Sequence, residues 1–298
     1  MEYLLIVLYL LILVYIYDFR CYAKYKKFNT FVLFWIFVFL AGFRYRVGLD
    51  TVSYALYFNK LCPDFTDLNL DSFIYSRYQP LWVLLNSFIK LFGSIILFQI
   101  VVALIINICF FYFFKKSTTK FFSGLLIYFL VDYHYFNMDI VRESIAVGFF
   151  LVAIIKLQDN KYLKYYGIIS LAFLFHFYAF ICFFIPLLLT KKINTTIKVI
   201  TGVISLAIIF SLSSATSSIN QLISLFSESN DLSAYAEFEG AEMSLAGLLY
   251  NFLRIIPLFC LIIFYSTNKQ MYSLLISKRY VLTFSYFYIY IVLIRIFS

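Results

Sequence analysis

Three short stretches of the sequence combine charged and aromatic residues in patterns suited to binding an anion or moving a proton. In the first, Arg44 and Arg46 stand two apart, followed by Gly48 and Asp50. An extended backbone would turn both guanidinium groups to one side, where they suit bidentate phosphate binding, and Gly48 allows a tight turn. Asp50 precedes a helix-like run that contains Tyr54. The alternative is an arginine pair that reaches lipid headgroups, with Asp50 as a helix N-cap.

The second stretch places Asp139, Arg142 and Glu143 at positions i, i+3 and i+4 of a predicted helix start. There they would share one face at the positive end of the helix dipole. Such an end favours an anion, and Arg142 would orient a neighbouring carboxylate. A purely structural ion pair is the alternative. Asp132 and His134, just before this stretch, would either join the network or face water.

The third candidate is His176, which stands alone in the apolar sequence LAFLFHFYAF. A hydrogen-bonded packing histidine is the alternative to a functional one. The chain has only two histidines, its five cysteines are scattered, and it has no HExxH motif. We therefore expect no metal and no cofactor. Without a P-loop, GxGxxG or GxSxG motif, any phosphate must be held by side chains.

The elements that position these residues follow from the composition. Of 298 residues, 64% are hydrophobic and only 13% charged, and the mean hydropathy is +0.92, whereas soluble domains are about 25% charged. The apolar runs are long and do not alternate, so we predict an all-α, polytopic membrane protein rather than a soluble or β-barrel one. The net charge of +9 comes from short basic clusters between apolar runs. It therefore indicates membrane topology and not nucleic-acid binding.

We expect one integral membrane domain over residues 1–298, with about ten helical elements and with the first retained rather than cleaved as a signal peptide. The apolar segments lie at about 4–17, 28–43, 79–93, 94–114, 121–136, 140–157, 165–189, 196–214, 245–266 and 280–297. Loops rich in lysine and arginine stay cytoplasmic. These basic loops lie near residues 20–27, 115–120, 156–164, 191–198 and 269–279. The two longest loops, 44–78 and 215–244, are acidic or balanced in charge and are placed outside.

The order of the loops also predicts broken helices. Two cytoplasmic loops flank residues 165–189, which are too few for two ordinary spans, so we expect a re-entrant hairpin with its tip near His176. By the same count, Pro80 to Lys90 should form a partial helix. The alternative is that both segments span normally. In the broken-helix arrangement all three candidate stretches lie on the outer side.

Several of these pieces, in this order, resemble the EpsG-like bacterial exopolysaccharide proteins, which are related to the Wzy-type O-antigen and capsule repeat-unit polymerases. The resemblance covers roughly residues 40–190. Its pieces are Arg46, Gly48, Asp50 and Tyr54 in RVGLDTVSY, Pro80, Leu81 and Asn86 in QPLWVLLN, Arg142, Ser144 and Ala146 in DIVRESIA, and LAFLFHFYAF with Pro186 after it. The position before Pro80, where the family commonly has Glu, is Gln79.

The resemblance implies a GT-C-like membrane glycosyltransferase. It would polymerise oligosaccharide repeat units carried on undecaprenyl pyrophosphate, without a nucleotide sugar, at the periplasmic or outer face of the inner (cytoplasmic) membrane. The chain would be multi-pass. Its expected partners are the lipid-linked oligosaccharide, membrane lipid, and other polysaccharide assembly proteins such as a chain-length regulator.

For this reaction we name Asp50 first as the general base, with Glu143 and His176 as alternatives. The expected substrate-binding residues for pyrophosphate and sugar are Arg44, Arg46, Tyr54, Gln79, Asp139, Arg142 and Arg254. Two other functions stay open: a transporter or flippase of lipid-linked sugars, and a non-catalytic scaffold of a polysaccharide assembly complex. A transporter should carry polar groups along a path to the cytoplasm, and segments 94–114 and 196–214 carry few.

Overall fold

The computed structural model describes residues 2–186 apart from positions 46, 49, 75 and 77, and this part of the chain is helical and contains no strand. The α-helices are α1 (Glu2–Leu13), α2 (Lys26–Gly42), α3 (Thr51–Leu56), α4 (Leu70–Ile74), α5 (Pro80–Lys90), α6 (Ile95–Ser117), α7 (Phe121–Val131), α8 (Val141–Gln158) and α9 (Tyr162–Phe175). π-Helical segments lie at Val14–Phe19, Tyr57–Leu61 and Tyr135–Asp139, and 3₁₀ segments at Phe65–Asp67 and Phe177–Phe184. Residues 2–180 of this part form one compact unit, and residues 181–186 belong to a second unit.

Four helices begin and end close to the predicted apolar segments: α2, α5, α6 and α8. The segment 121–136 was predicted too long, because α7 ends at Val131 and the chain then turns through the π-helical segment Tyr135–Asp139. The predicted elements at 196–214, 245–266 and 280–297 and the acidic loop 215–244 lie outside the described residues. The single membrane domain therefore stays a prediction.

The two helices for which the loop order predicts a break, α5 and α9, are among those shorter than a bilayer crossing. α5 has 11 residues and α9 has 14, which at 1.5 Å per residue makes them about 16 and 21 Å long, against about 30 Å of hydrocarbon. α9 ends where His176 adopts an extended backbone, with φ −153° and ψ 124°. The predicted break at His176 is therefore confirmed, while re-entry into the membrane stays a prediction.

Three of the basic loops lie at one end of the helix bundle. Just before the first of these loops, the Asp18 carboxylate accepts hydrogen bonds from the backbone N–H and the hydroxyl of Ser123, at 2.6 and 2.9 Å. This contact joins loop 20–27 to the start of α7. Lys156, at the end of α8, donates to the Tyr112 hydroxyl near the end of α6 at 2.8 Å. The loops near 20–27, 115–120 and 156–164 thus share one end, as the positive-inside rule requires.

The candidate stretches lie at the opposite end of the bundle. There the chain leaving α2 meets the turn before α8, because the Arg44 guanidinium donates to the carbonyl of Asn137. The start of α8 meets the end of α9 through Glu143 and His176, 3.0 Å apart. The basic loops and the candidate residues are therefore separated by the length of the helices.

The outer surface of the bundle is apolar. On α1, Leu4 is 61% exposed, and Leu8 and Ile12 are also exposed. A water-soluble protein rarely shows such a continuous apolar face. Within the described residues α6 is the one helix long and apolar enough to cross a membrane by itself; Tyr3–Phe19, α7 and α9 are apolar but shorter.

The separation of the two ends predicts opposite accessibility for two exposed positions, Tyr45 and Thr119. In cells carrying Cys21→Ser, which removes an exposed thiol, an impermeant maleimide should label Tyr45→Cys in intact cells. Thr119→Cys should be labelled only after permeabilisation. Labelling of both positions from the same side would contradict the arrangement of the ends.

Candidate functional site

A buried hydrogen-bond network fixes the turn that precedes α8. The Asn137 side chain accepts from Asn107 Nδ2 at 2.9 Å, and its own Nδ2 donates to the Tyr128 hydroxyl at 2.7 Å and the Tyr133 carbonyl at 3.1 Å. Asn107 and Asn137 are both fully buried. A buried amide without partners would cost about 1–3 kcal/mol, so these bonds favour one conformation of the turn.

The chain after α2 packs against the same turn. Arg44 Nη1 donates to the carbonyls of Ala41 and Asn137, and the Thr51 hydroxyl donates to the carbonyl of Met138 at 3.3 Å. Burial lowers the pKa of Arg44 to about 10, so the group stays cationic near neutral pH. Arg44 was predicted to bind pyrophosphate, but here its guanidinium binds backbone carbonyls and joins two segments.

Gly48 lies where the two segments approach most closely. Its φ is +101°, and a Cβ at this position would lie 2.1 Å from the carbonyl oxygen of Met138. Only glycine accepts both this backbone conformation and this contact. The tight turn predicted at Gly48 is confirmed.

The centre of the candidate site is formed by Arg142, Glu143 and His176. Glu143 Oε1 lies 3.0 Å from Arg142 Nη2 and 3.0 Å from His176 Nε2. Glu143 is 8% exposed and His176 5% exposed. The site therefore joins the first turn of α8 to the break after α9. The Arg142–Glu143 ion pair is also the contact expected if these residues have only a structural role.

Asp139 does not share the helix face with Arg142 as predicted. α8 begins at Val141, and Asp139 is the last residue of the π-helical turn before it. Asp139 still lies near the site, because its Oδ1 is 2.8 Å from the place that a Cβ on Gly48, two residues before Asp50, would occupy. Only Arg142 and Glu143 therefore lie in the first turn of α8, and Asp139 belongs to the turn before it.

Tyr78 is a site residue that the sequence analysis missed. The Arg142 guanidinium lies over the Tyr78 ring, 4.9 Å from its centroid, a geometry that stabilises a partly buried cation. The Tyr78 ring also packs edge-on against Tyr57 at 4.4 Å. The chain has 27 tyrosines, and their spacing does not distinguish Tyr78 from the others. Its position directly before Gln79 and Pro80 is the one feature of the sequence that could have indicated it.

Asp50 and Tyr54 complete the described site. Asp50 stands at the N-cap position of α3 but makes no side-chain capping bond, so the N-cap interpretation is wrong. Its carboxylate accepts instead from the Tyr54 hydroxyl. Tyr54 is buried against the Trp82 ring at 5.3 Å, which holds the phenol in place.

The surroundings of Asp50 change its affinity for protons. Burial raises the pKa of Asp50, and the negative charges of Glu143 and Asp139 raise it further. Arg142 and the Tyr54 hydrogen bond act in the opposite direction but do not cancel this shift. Asp50 is half-buried rather than enclosed. It is therefore a carboxylate that can take a proton while remaining within reach of a ligand.

The remaining predicted site residues are less closely connected. Gln79 directly precedes α5, and its buried Oε1 meets no donor among the described residues. Arg46 and Arg254 lie outside the described residues. Among the residues that are described, no three His, Cys, Asp or Glu side chains form a group able to hold a metal ion. The structure brings together Asp50, Tyr54, Asp139, Arg142, Glu143 and His176.

This arrangement places the buried Arg142–Glu143 ion pair near Asp50, a half-buried carboxylate whose pKa is raised. A model of the EpsG family matches residues 27–298, almost the whole chain. The chain belongs to the EpsG family. This confirms the resemblance found in the sequence and makes the protein a membrane protein of polysaccharide biosynthesis. No curated protein and no solved structure matches the chain. The EpsG match includes every segment of the candidate site.

The close approach at Gly48 predicts a large effect of a single methyl group. Gly48→Ala should destabilise the fold by about 1–3 kcal/mol or more, because it adds backbone strain and a clash with Met138. Gly93 is the matched control: its φ is +67°, but no atom lies within 4 Å of the place that a Cβ would occupy. Gly93→Ala should cost only about 1 kcal/mol. Thermal unfolding in detergent measures both, and equal losses would show that the contact with Met138 is unimportant.

Proposed function

We propose that this EpsG protein is a membrane glycosyltransferase that polymerises oligosaccharide repeat units carried on undecaprenyl pyrophosphate. The observation that supports it is the meeting of Asp50, Arg142, Glu143 and His176 from three separate segments. They meet at the end of the bundle opposite the basic loops. A reaction at that end faces away from the cytoplasm, where nucleotide sugars are made, and so uses a lipid-linked donor.

In the proposed reaction a hydroxyl oxygen of one repeat unit attacks the anomeric carbon of the sugar at the lipid end of another. The bond from this carbon to the pyrophosphate oxygen breaks, and undecaprenyl pyrophosphate leaves with the bonding electron pair. Arg142 stabilises the negative charge that develops on the leaving group. Its guanidinium is held by Glu143 and Tyr78 before substrate arrives, so little reorganisation is needed.

The acceptor hydroxyl must lose its proton as it attacks, and we assign this proton to Asp50. Burial raises the pKa of Asp50, which makes it a stronger base than an exposed carboxylate once it is ionised. Tyr54 orients it through a hydrogen bond. Arg46, two residues beyond Arg44, is proposed as a further cation for the pyrophosphate, with Gln79 and Arg254 as further binding residues.

The proposal also covers the setting of the reaction. The chain would be a multi-pass protein of the bacterial inner membrane and would act on its outer face. Its substrates would reach the site laterally from the lipid, and other assembly proteins, such as a chain-length regulator, would act beside it. The transporter and scaffold alternatives make a different prediction, because neither forms new glycosidic bonds.

The test is polymer formation by purified protein in proteoliposomes supplied with lipid-linked repeat units and no nucleotide sugar. We expect a ladder of polymer lengths from the wild type. Arg142→Ala should lower the rate by about 10²–10³-fold, because it removes a preorganised cation. Arg142→Lys should retain a larger share of the rate, since it keeps the charge but loses the planar fork.

Arg20→Ala is the matched control for this test. Arg20 also lies over a tyrosine ring, that of Tyr15 at 5.4 Å, but it belongs to the opposite, basic end of the bundle. The Arg20→Ala protein should form polymer at the wild-type rate. Single units left unchanged by the wild type would overturn the proposed function, and equal losses in Arg20→Ala and Arg142→Ala would remove Arg142 from the mechanism.

A further inference from the structure

Glu143 is a carboxylate of the site that contacts two donors at once. A single oxygen, Oε1, meets both Arg142 Nη2 and His176 Nε2 at 3.0 Å. These two donors come from different helices, the first turn of α8 and the break after α9. A carboxylate that joins two donors in this way fixes the direction of both. Asp50, in contrast, accepts a hydrogen bond from a neutral hydroxyl among the described residues, that of Tyr54.

We infer that Glu143 is a positioning residue that holds Arg142 and His176 beside Asp50, and that Asp50 alone takes the proton of the acceptor. This inference rests on the proposed function and divides its roles between the two carboxylates. Two donors on Oε1 stabilise the ionised carboxylate of Glu143, which makes it a poor proton acceptor. Protonation would also weaken the ion pair that holds Arg142, at the step where its charge is needed.

Direct base catalysis by Glu143 is the competing assignment. Glu143 Oε2 is buried and meets no donor among the described residues, so an acceptor hydroxyl reaching Oε2 would give Glu143 a second role. The two assignments predict different effects on turnover when Glu143 is replaced by the neutral amide of Gln. If Glu143 takes the proton, Glu143→Gln abolishes turnover at every pH. If Glu143 is a positioning residue, this variant keeps turnover but changes its pH dependence.

The direction of that change follows from the groups around Asp50. Among the described residues these are Tyr54 from α3, Asp139 from the preceding turn, and Arg142 and Glu143 from α8. The Glu143 charge raises the pKa of Asp50, whereas the Arg142 charge lowers it. Removing each charge should therefore shift the titration of Asp50 in opposite directions.

The experiment measures initial rates of polymer formation against pH in proteoliposomes. A base must be ionised, so the wild-type rate should rise with pH through the pKa of Asp50. Glu143→Gln should move this rising limb of the pH–rate profile to lower pH by roughly one unit. It should also raise KM for the lipid-linked donor, because Arg142 is then less well held. Arg142→Gln should move the limb to higher pH. Asp50→Asn should remove the limb together with most of the rate.

Two further variants distinguish a specific effect on the site from a general loss of folding. His176→Gln retains an N–H that can reach Glu143 and should keep more activity than His176→Ala. Asp64→Asn is the control for carboxylate removal, because Asp64 forms a surface pair with Lys90 at 2.8 Å, away from the site; it should leave the limb unmoved. A folded Glu143→Gln enzyme with an unmoved limb, or with no turnover at any pH, would overturn the inference.

A second measurement does not depend on polymer formation. Carbodiimides activate protonated carboxyl groups, so the fraction of Asp50 labelled with an added amine, read by mass spectrometry, should fall as pH rises. The midpoint should lie lower in Glu143→Gln than in the wild type and higher in Arg142→Gln. If wild-type protein makes no polymer but these midpoints move as expected, the proposed function fails and the electrostatic arrangement stands. Unmoved midpoints overturn the inference itself.

Discussion

The site depends on hydrogen bonds between polar side chains that are buried in the interior of the helix bundle. The turn at Tyr135–Asp139 lies in an aromatic and aliphatic interior, and its central residue, Asn137, uses both its side chain and its carbonyl in hydrogen bonds. In such surroundings each lost bond is expensive. The turn therefore has one favourable conformation, and the start of α8, with Arg142 and Glu143, is fixed by it. The positions of Arg142 and Glu143 therefore depend on the hydrogen bonds of the Asn137 amide, although Asn137 does not touch either charge.

Buried ion pairs are a costly means of stabilising a fold, because the loss of hydration can exceed the attraction between the charges. The contact of Arg142, Glu143 and His176 is better explained by what it positions. Its three side chains come from the two ends of a helical hairpin, and the Tyr78 ring supports the guanidinium from a third segment. Such a cluster keeps a cation oriented without binding an anion permanently, as the proposed release of a charged leaving group requires.

The sequence predicted the helices better than the contacts between them. Hydropathy gave α2, α5, α6 and α8 within a few residues, and the order of basic loops predicted the break at His176, because charge distribution and span length are local properties. A turn was expected between the segments 121–136 and 140–157, but its π-helical conformation was not, since its composition is that of a helix. The roles of Asn137, Tyr78 and Arg44 depend on residues about 60 to 90 positions away in sequence, which spacing within a single chain does not show.

The contact between Asp18 and Ser123 has a consequence for how the chain is assembled. The carboxylate of Asp18 is buried, and its described donors belong to a residue 105 positions later. While the ribosome is still making the intervening helices, Asp18 lacks these donors and must stay hydrated at the end of the bundle that carries the basic loops. The chain around Asp18 can therefore pack fully only after the start of α7 has been made, so the first helix to be synthesised is not the first to be completely packed.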